Sequence, residues 1–226
     1  MACLAAYLLT VRTERWRRTA FVAGWALGAL AVISPLCALS VSLFSARIFQ
    51  HMWLASVVAP LIALGRPQLA LRRIAPAVAS GHRPVLAAAA FAAALWFWHA
   101  PGAYTATFQS DAVYWAMHVT TFAAAVWLWS GLIDGPREAL GPFAIATLLT
   151  TGQMGLLGAL ITFADRPLYP PHRLTTYAWG LAPLADQQLG GVVMWVPAGT
   201  LLAAGFAWAF LQTLRRAEAR AWRRAT

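Results

Sequence analysis

The sequence predicts an all-α fold, a polytopic transmembrane helical bundle of six full spans plus an N-terminal half or truncated span, forming one domain over residues 1–226. Three observations predict it. Charged residues make up 11% of the chain against 61% hydrophobic, and mean hydropathy is +0.63. Apolar runs of about 20 residues, enough to cross a hydrocarbon core of about 30 Å, recur along the whole length. Short Gly/Pro-bearing joints, among them "LGRP", "SGHRP", "HAPG", "DGPREALGP" and "DRPLYPP", punctuate the runs and leave no room for a soluble domain.

The opening "MACLAAYLLTV" has neither the basic n-region nor the AxA site of a signal peptide. Its eleven residues reach about 16 Å as a helix, too short to span, so it reads as a truncated first helix or as the continuation of an upstream start. The full spans follow at 19–39, 44–64, 84–99, 113–133, 142–163 and 187–212. The 84–99 run is short, yet its "AAAAFAAALWFW" core is strongly helical. Pro60 and Pro197 fall inside spans and are expected to kink them. "GQMG" at 152–155 predicts close helix approach through glycine, with Gln153 bonding a neighbour.

All 17 basic residues are arginine, and their distribution sets orientation. With the first loop cytoplasmic, 14 arginines lie on the cytoplasmic side and three, Arg47, Arg166 and Arg173, on the other. This puts the C-terminus in the cytoplasm of a bacterial cell with a multi-pass protein in its inner membrane. The net charge of +10 comes in clusters between apolar runs rather than along a polar face, so nucleic acid is not the implied partner. The C-terminal "RRAEARAWRR" reads as an anchor on anionic lipid. Twelve tryptophans, notably Trp96, Trp98, Trp127, Trp129 and Trp179, fit interfacial belts. Cys3 and Cys37 are isolated, and no CxxC indicates a disulfide framework or a thiolate site.

Depth counting singles out a group of polar residues. His99 ends one span on the outer side, His118 enters the next about 8 Å below its outer end, and His51 and Met194 each enter theirs seven residues down, with Asp186 just above Met194. Polar groups within a bilayer cost a few kcal/mol each unless partnered, so they turn inward and mark function. Imidazole with thioether at one level reads as a site for Cu(I), with His51, His99 and His118 as ligands, Met194 as a soft exchange ligand and Asp186 as an orienting or docking charge. The alternative is b-type haem on His51 and His118. His82 belongs to a cytoplasmic loop, and His172, in the long outer loop 164–186, could join the site but reads first as a solvated histidine. That loop is long enough to cap the outer site or to meet a partner.

Four stretches carry a resemblance: "LFSARIFQHMWLASVVAPLIALGRP" (43–67), "LWFWHAPGAYTATFQSD" (95–111), "MGLLGALITFADRPLYPPH" (154–172) and "LADQQLGGVVMWVPAG" (184–199). The chain resembles the polytopic CtaG family of cytochrome c oxidase assembly factors, distinct from the single-span copper chaperone of the same name. The resemblance implies a non-enzymatic factor for maturation of haem-copper oxidase, supplying copper, with an oxidase subunit and a periplasmic copper chaperone as partners. It carries over to His51, His99, His118, Asp186, Gln187 and Met194. Where the family pattern has HxxxH on two helices, this chain has Arg47 with His51 and Tyr114 with His118. Arg47 is expected to pair with Asp111 or Asp186 instead.

Overall fold

The computed structural model describes residues 7, 11, 13–69, 83–134 and 140–225. The expectations on His82, Cys3, Arg72, Arg73 and Arg137 lie outside them. Nine helices are described: α1 Arg15–Ile33, α2 Pro35–Ser42, α3 Phe44–Leu64, α4 Pro84–His99, α5 Pro101–Ala106, α6 Asp111–Asp134, α7 Leu140–Thr162, α8 Pro183–Trp195 and α9 Pro197–Ala225. No strand occurs among the described residues.

By length and composition three helices can cross a membrane alone: α3, α6 and the 22 residues Gly141–Thr162 of α7. The first predicted span is a pair, α1 and α2, bent by 51°. Its cause was readable in "SPLC": Pro35 cannot donate an amide hydrogen, and Ser34 Oγ accepts from Leu36 N at 3.3 Å, so a new helix starts there. Helix α4, 16 residues long, rises about 24 Å, short of a full crossing. The 187–212 run is divided at Val196, ahead of Pro197. Among the described residues three helices, or four with the bent pair taken as one span, are long and apolar enough to cross a membrane, and prolines break two of the six predicted runs.

Pro60 acts differently. Helix α3 passes it through a π-helical turn, Leu54–Val58, in which Ala59 N bonds Leu54 O five residues back. Ala55 O then has no amide to serve it, because the next candidate belongs to Pro60. Trp129 Nε1 on α6 fills the vacancy at 2.9 Å. Trp129 is thus 3% exposed and structural, which corrects its assignment to an interfacial belt.

Lipid is as apolar as leucine, so close approach and polar bonds must hold such a bundle together. Helix α8 is wedged between α3 and α7 by two glycines. A Cβ on Gly190 would collide with the Phe44 ring, and one on Gly191 with Thr162 and the Gly158 carbonyl. Gly152 and Gly155 meet nothing within 4 Å, so "GQMG" does not mediate close approach; Gln153 Oε1 does accept from Trp96 Nε1, at 3.1 Å. Around α8 a buried core joins Phe44, Ile48 and Met52 of α3 to Phe91 and Leu95 of α4, Leu128 of α6, Met154 and Ile161 of α7, and Met194.

The helix ends that the arginine count expects on the cytoplasmic side lie together, at the end of the bundle away from those it expects outside. At the cytoplasmic end Arg66 makes a fork to Asp134 with bonds of 2.8–3.1 Å, and Gln68 Nε2 adds a fourth at 3.1 Å. Arg17 Nη1 bonds Leu64 O at 2.9 Å and lies 3.9 Å from Asp134 Oδ1. The starts of α1 and the ends of α3 and α6 are clasped by this group.

Candidate metal centre at the outer end of the bundle

The outer end is stapled by the "DQQ" of α8. Asp186, fully buried, accepts from Phe44 N at 2.6 Å, from Ser45 N at 3.2 Å and from the Ser45 hydroxyl. It caps the α3 N-terminus from another helix, where a carboxylate also meets the positive end of the helix dipole. Gln187 Oε1 accepts from Leu168 N at 2.6 Å while its Nε2 donates to Arg166 O at 3.3 Å. The loop after α7 is therefore folded down onto the bundle. Tyr169 OH donates to His99 O at 3.0 Å, and Tyr104 OH bonds His172 Nε2 at 2.7 Å. His172 is 2% exposed, a correction to its reading as a solvated histidine. Burial pushes its imidazolium below the usual histidine range.

Beneath this lid lie the three predicted histidines, on α3, α4 and α6. His51, His99 and His118 are 9%, 7% and 8% exposed, which places all three inside the bundle. The rings of His51 and His118 meet edge to face with centroids 5.0 Å apart. His99 joins through a narrow recess that it lines with His51, Tyr104 and Met117. A second recess is lined by His51, His118, Ala55 and Phe122. His51 and Thr121 border both, and each has room for little more than a water or a monatomic ion.

Hydrogen bonds fix the tautomers. His99 Nδ1 lies 2.7 Å from Leu95 O, and His118 Nδ1 lies 3.0 Å from Tyr114 O. A carbonyl only accepts, so each Nδ1 carries the proton and each Nε2 presents a lone pair. The Nε2 atoms of His51, His99 and His118 are all buried without a partner. Buried polar atoms are normally satisfied, and backbone-bonded Nδ1–H with free Nε2 is how metal-ligating histidines are oriented.

The other predicted residues go elsewhere. Met194 is fully buried in the apolar core and lines neither recess. Asp186 has its oxygens committed to α3. The thioether that does line a recess is Met117, adjacent in sequence to His118. Among the described residues no three His, Cys, Asp or Glu side chains converge as a ready-made cluster. The contact between His51 and His118 is thus the nucleus of the arrangement, with His99 and Met117 beside it.

Arg47, one turn above His51, pairs with neither Asp111 nor Asp186, which corrects that expectation. It is 2% exposed and donates to Thr107 Oγ1 at 2.6 Å and Met117 Sδ at 3.8 Å. Its guanidinium lies over the rings of Tyr104, Phe108 and Tyr114, 4.4–5.6 Å from their centroids.

Fold and site together define a helical membrane protein with an imidazole-lined recess near one end. The chain belongs to the cytochrome c oxidase caa3 assembly factor family (Caa3_CtaG), whose model matches residues 3–216. No curated protein and no solved structure matches it.

Proposed function

We propose that this assembly factor handles copper: it holds Cu(I) transiently between the histidines at the outer end and passes it to a haem-copper oxidase subunit during assembly. The observation that carries the reading is the set of three buried Nε2 atoms without a partner, two on rings in contact, beside a thioether. Imidazole and thioether suit Cu(I), which is stable with as few as two or three ligands. An incomplete shell keeps affinity modest, as a cargo site requires. The protein needs no catalytic residue for this, and its chemistry is ligand exchange. His51 and His118 are the primary ligands, with His99 and Met117 as exchange ligands, and Met194 and Asp186 support the helices that carry them. The inner membrane, with this end outward, supplies the setting in which a periplasmic chaperone could load the site and an oxidase subunit unload it.

The haem alternative has weaker support. A porphyrin must lie between its axial ligands, and the spaces beside His51 and His118 are of ionic size.

The test is cellular. Replacing His51 or His118 with Ala is expected to abolish oxidase activity in membranes while this protein accumulates at its normal level. Normal oxidase activity in both variants would end the reading, and a Soret band in the purified protein would replace it with haem.

A further inference from the structure

Imidazole nitrogens bind zinc and Cu(II) as readily as Cu(I), so the ligands described above do not by themselves choose a charge. Arg47 does. A guanidinium stays protonated in any protein environment, and this one has no carboxylate within ion-pair distance among the described residues. Its Nε is buried without a partner. An isolated buried cation is costly to keep, several kcal/mol before the aromatic faces offset part of it. Each histidine is its near neighbour. His51 follows it by one helical turn, where Cβ atoms stand about 5–6 Å apart. Tyr104, 4.9 Å from Cζ, lines the recess shared by His51 and His99. Tyr114, 5.6 Å from Cζ, lies ring to ring with His118 at 4.3 Å.

We propose that Arg47 is the charge filter of this site: its fixed positive charge beside neutral imidazoles admits a monovalent soft cation and excludes divalent ones. The inference rests on the copper reading above. Repulsion scales with the charge of the incoming ion. At about 8 Å and an effective dielectric constant near 25, it weakens binding by on the order of tenfold per unit of ionic charge. A divalent ion pays the square of that factor, about a hundredfold. The same repulsion keeps the monovalent ion exchangeable.

The experiment uses the full chain in detergent and measures Cu(I) and Zn(II) affinities by competition with chromophoric chelators. Arg47→Gln is expected to tighten Cu(I) by about tenfold and Zn(II) by about a hundredfold, while Arg47→Lys leaves both within about threefold of the parent. Should Arg47→Gln not accumulate, Arg47→Met, which fits among the same three rings without charge, takes its place. An unchanged ratio of Zn(II) to Cu(I) affinity in the uncharged variant overturns the proposal, as does Arg47→Lys shifting the ratio as far as Arg47→Gln. If the parent binds Cu(I) and His51→Ala does not, such a result sinks the filter alone. If neither parent nor Arg47→Gln binds either metal, the copper reading falls with it.

Discussion

The two ends of the bundle treat buried charge in opposite ways. At the cytoplasmic end Arg17 and Arg66 share one carboxylate, Asp134, and neighbouring backbone and amide groups complete the set. At the outer end a guanidinium more deeply buried than either has no carboxylate within ion-pair distance among the described residues, and three imidazoles each keep an unused nitrogen. A cluster whose charges are paired is what holding helices together requires, even though Gln68 Oε1 within it has no partner. An unpaired one costs stability, and such costs persist where they serve function.

That contrast is open to direct attack. The largest effect is expected from Asp134→Ala, which takes away the carboxylate that Arg66 and Gln68 bond and that Arg17 faces; with Arg66 part-exposed, the loss of these charge-assisted bonds costs about 2–3 kcal/mol. Thermal unfolding in detergent checks it, and an unchanged midpoint would remove the cytoplasmic end as a structural clasp. Asp186→Ala comes next, at about 2 kcal/mol, because three donors at the start of α3 lose their acceptor. A loss of bound Cu(I) in that variant without loss of stability would instead make Asp186 a ligand. His51→Leu, which keeps most of the ring's volume, should cost about 1 kcal/mol or less, since its Nε2 has no bond to lose. A larger loss would make the outer end structural too.

The smallest effect concerns the lid. Burial lowers the His172 pKa, so the unfolded chain takes up the proton first, near pH 6.5. The stability this histidine lends is therefore complete above that pH and declines as pH falls below it, by at most about 1.4 kcal/mol per unit. Unfolding midpoints between pH 8 and 5 should show the decline, and His172→Gln should lessen it, the buried histidines of the bundle contributing the rest. A decline on raising the pH would contradict the burial argument.

Much of this was legible in the sequence because a bilayer demands long apolar runs, and these locate α3, α6 and α7 within a few residues. Hydropathy does not reveal the bend at Pro35, because its averages pass over a single proline, although Ser-Pro is a helix-start signature. Depth counting brought His51, His99 and His118 to one level; the structure sets His51 and His118 ring to ring, with His99 on a recess it shares with His51. The same counting selected Met194 and Asp186, which turn to the core and to α3. Rise along an axis gives height and leaves rotation about it undetermined, so Met117, beside His118 in sequence, lines a recess while Met194 does not. Nothing in a one-dimensional reading marks Arg47 as buried among aromatic rings, since its charge alone argues for the surface.

X-ray absorption at the copper edge of the Cu(I)-loaded, detergent-purified chain tests the central claim most directly. The account predicts one Cu(I) held by two or three ligands, nitrogen from imidazole with or without one sulfur, and loss of the signal in the His51→Ala, His118→Ala double variant. Copper with the same nitrogen and sulfur neighbours in that double variant, or no copper retained by the parent chain, would contradict it.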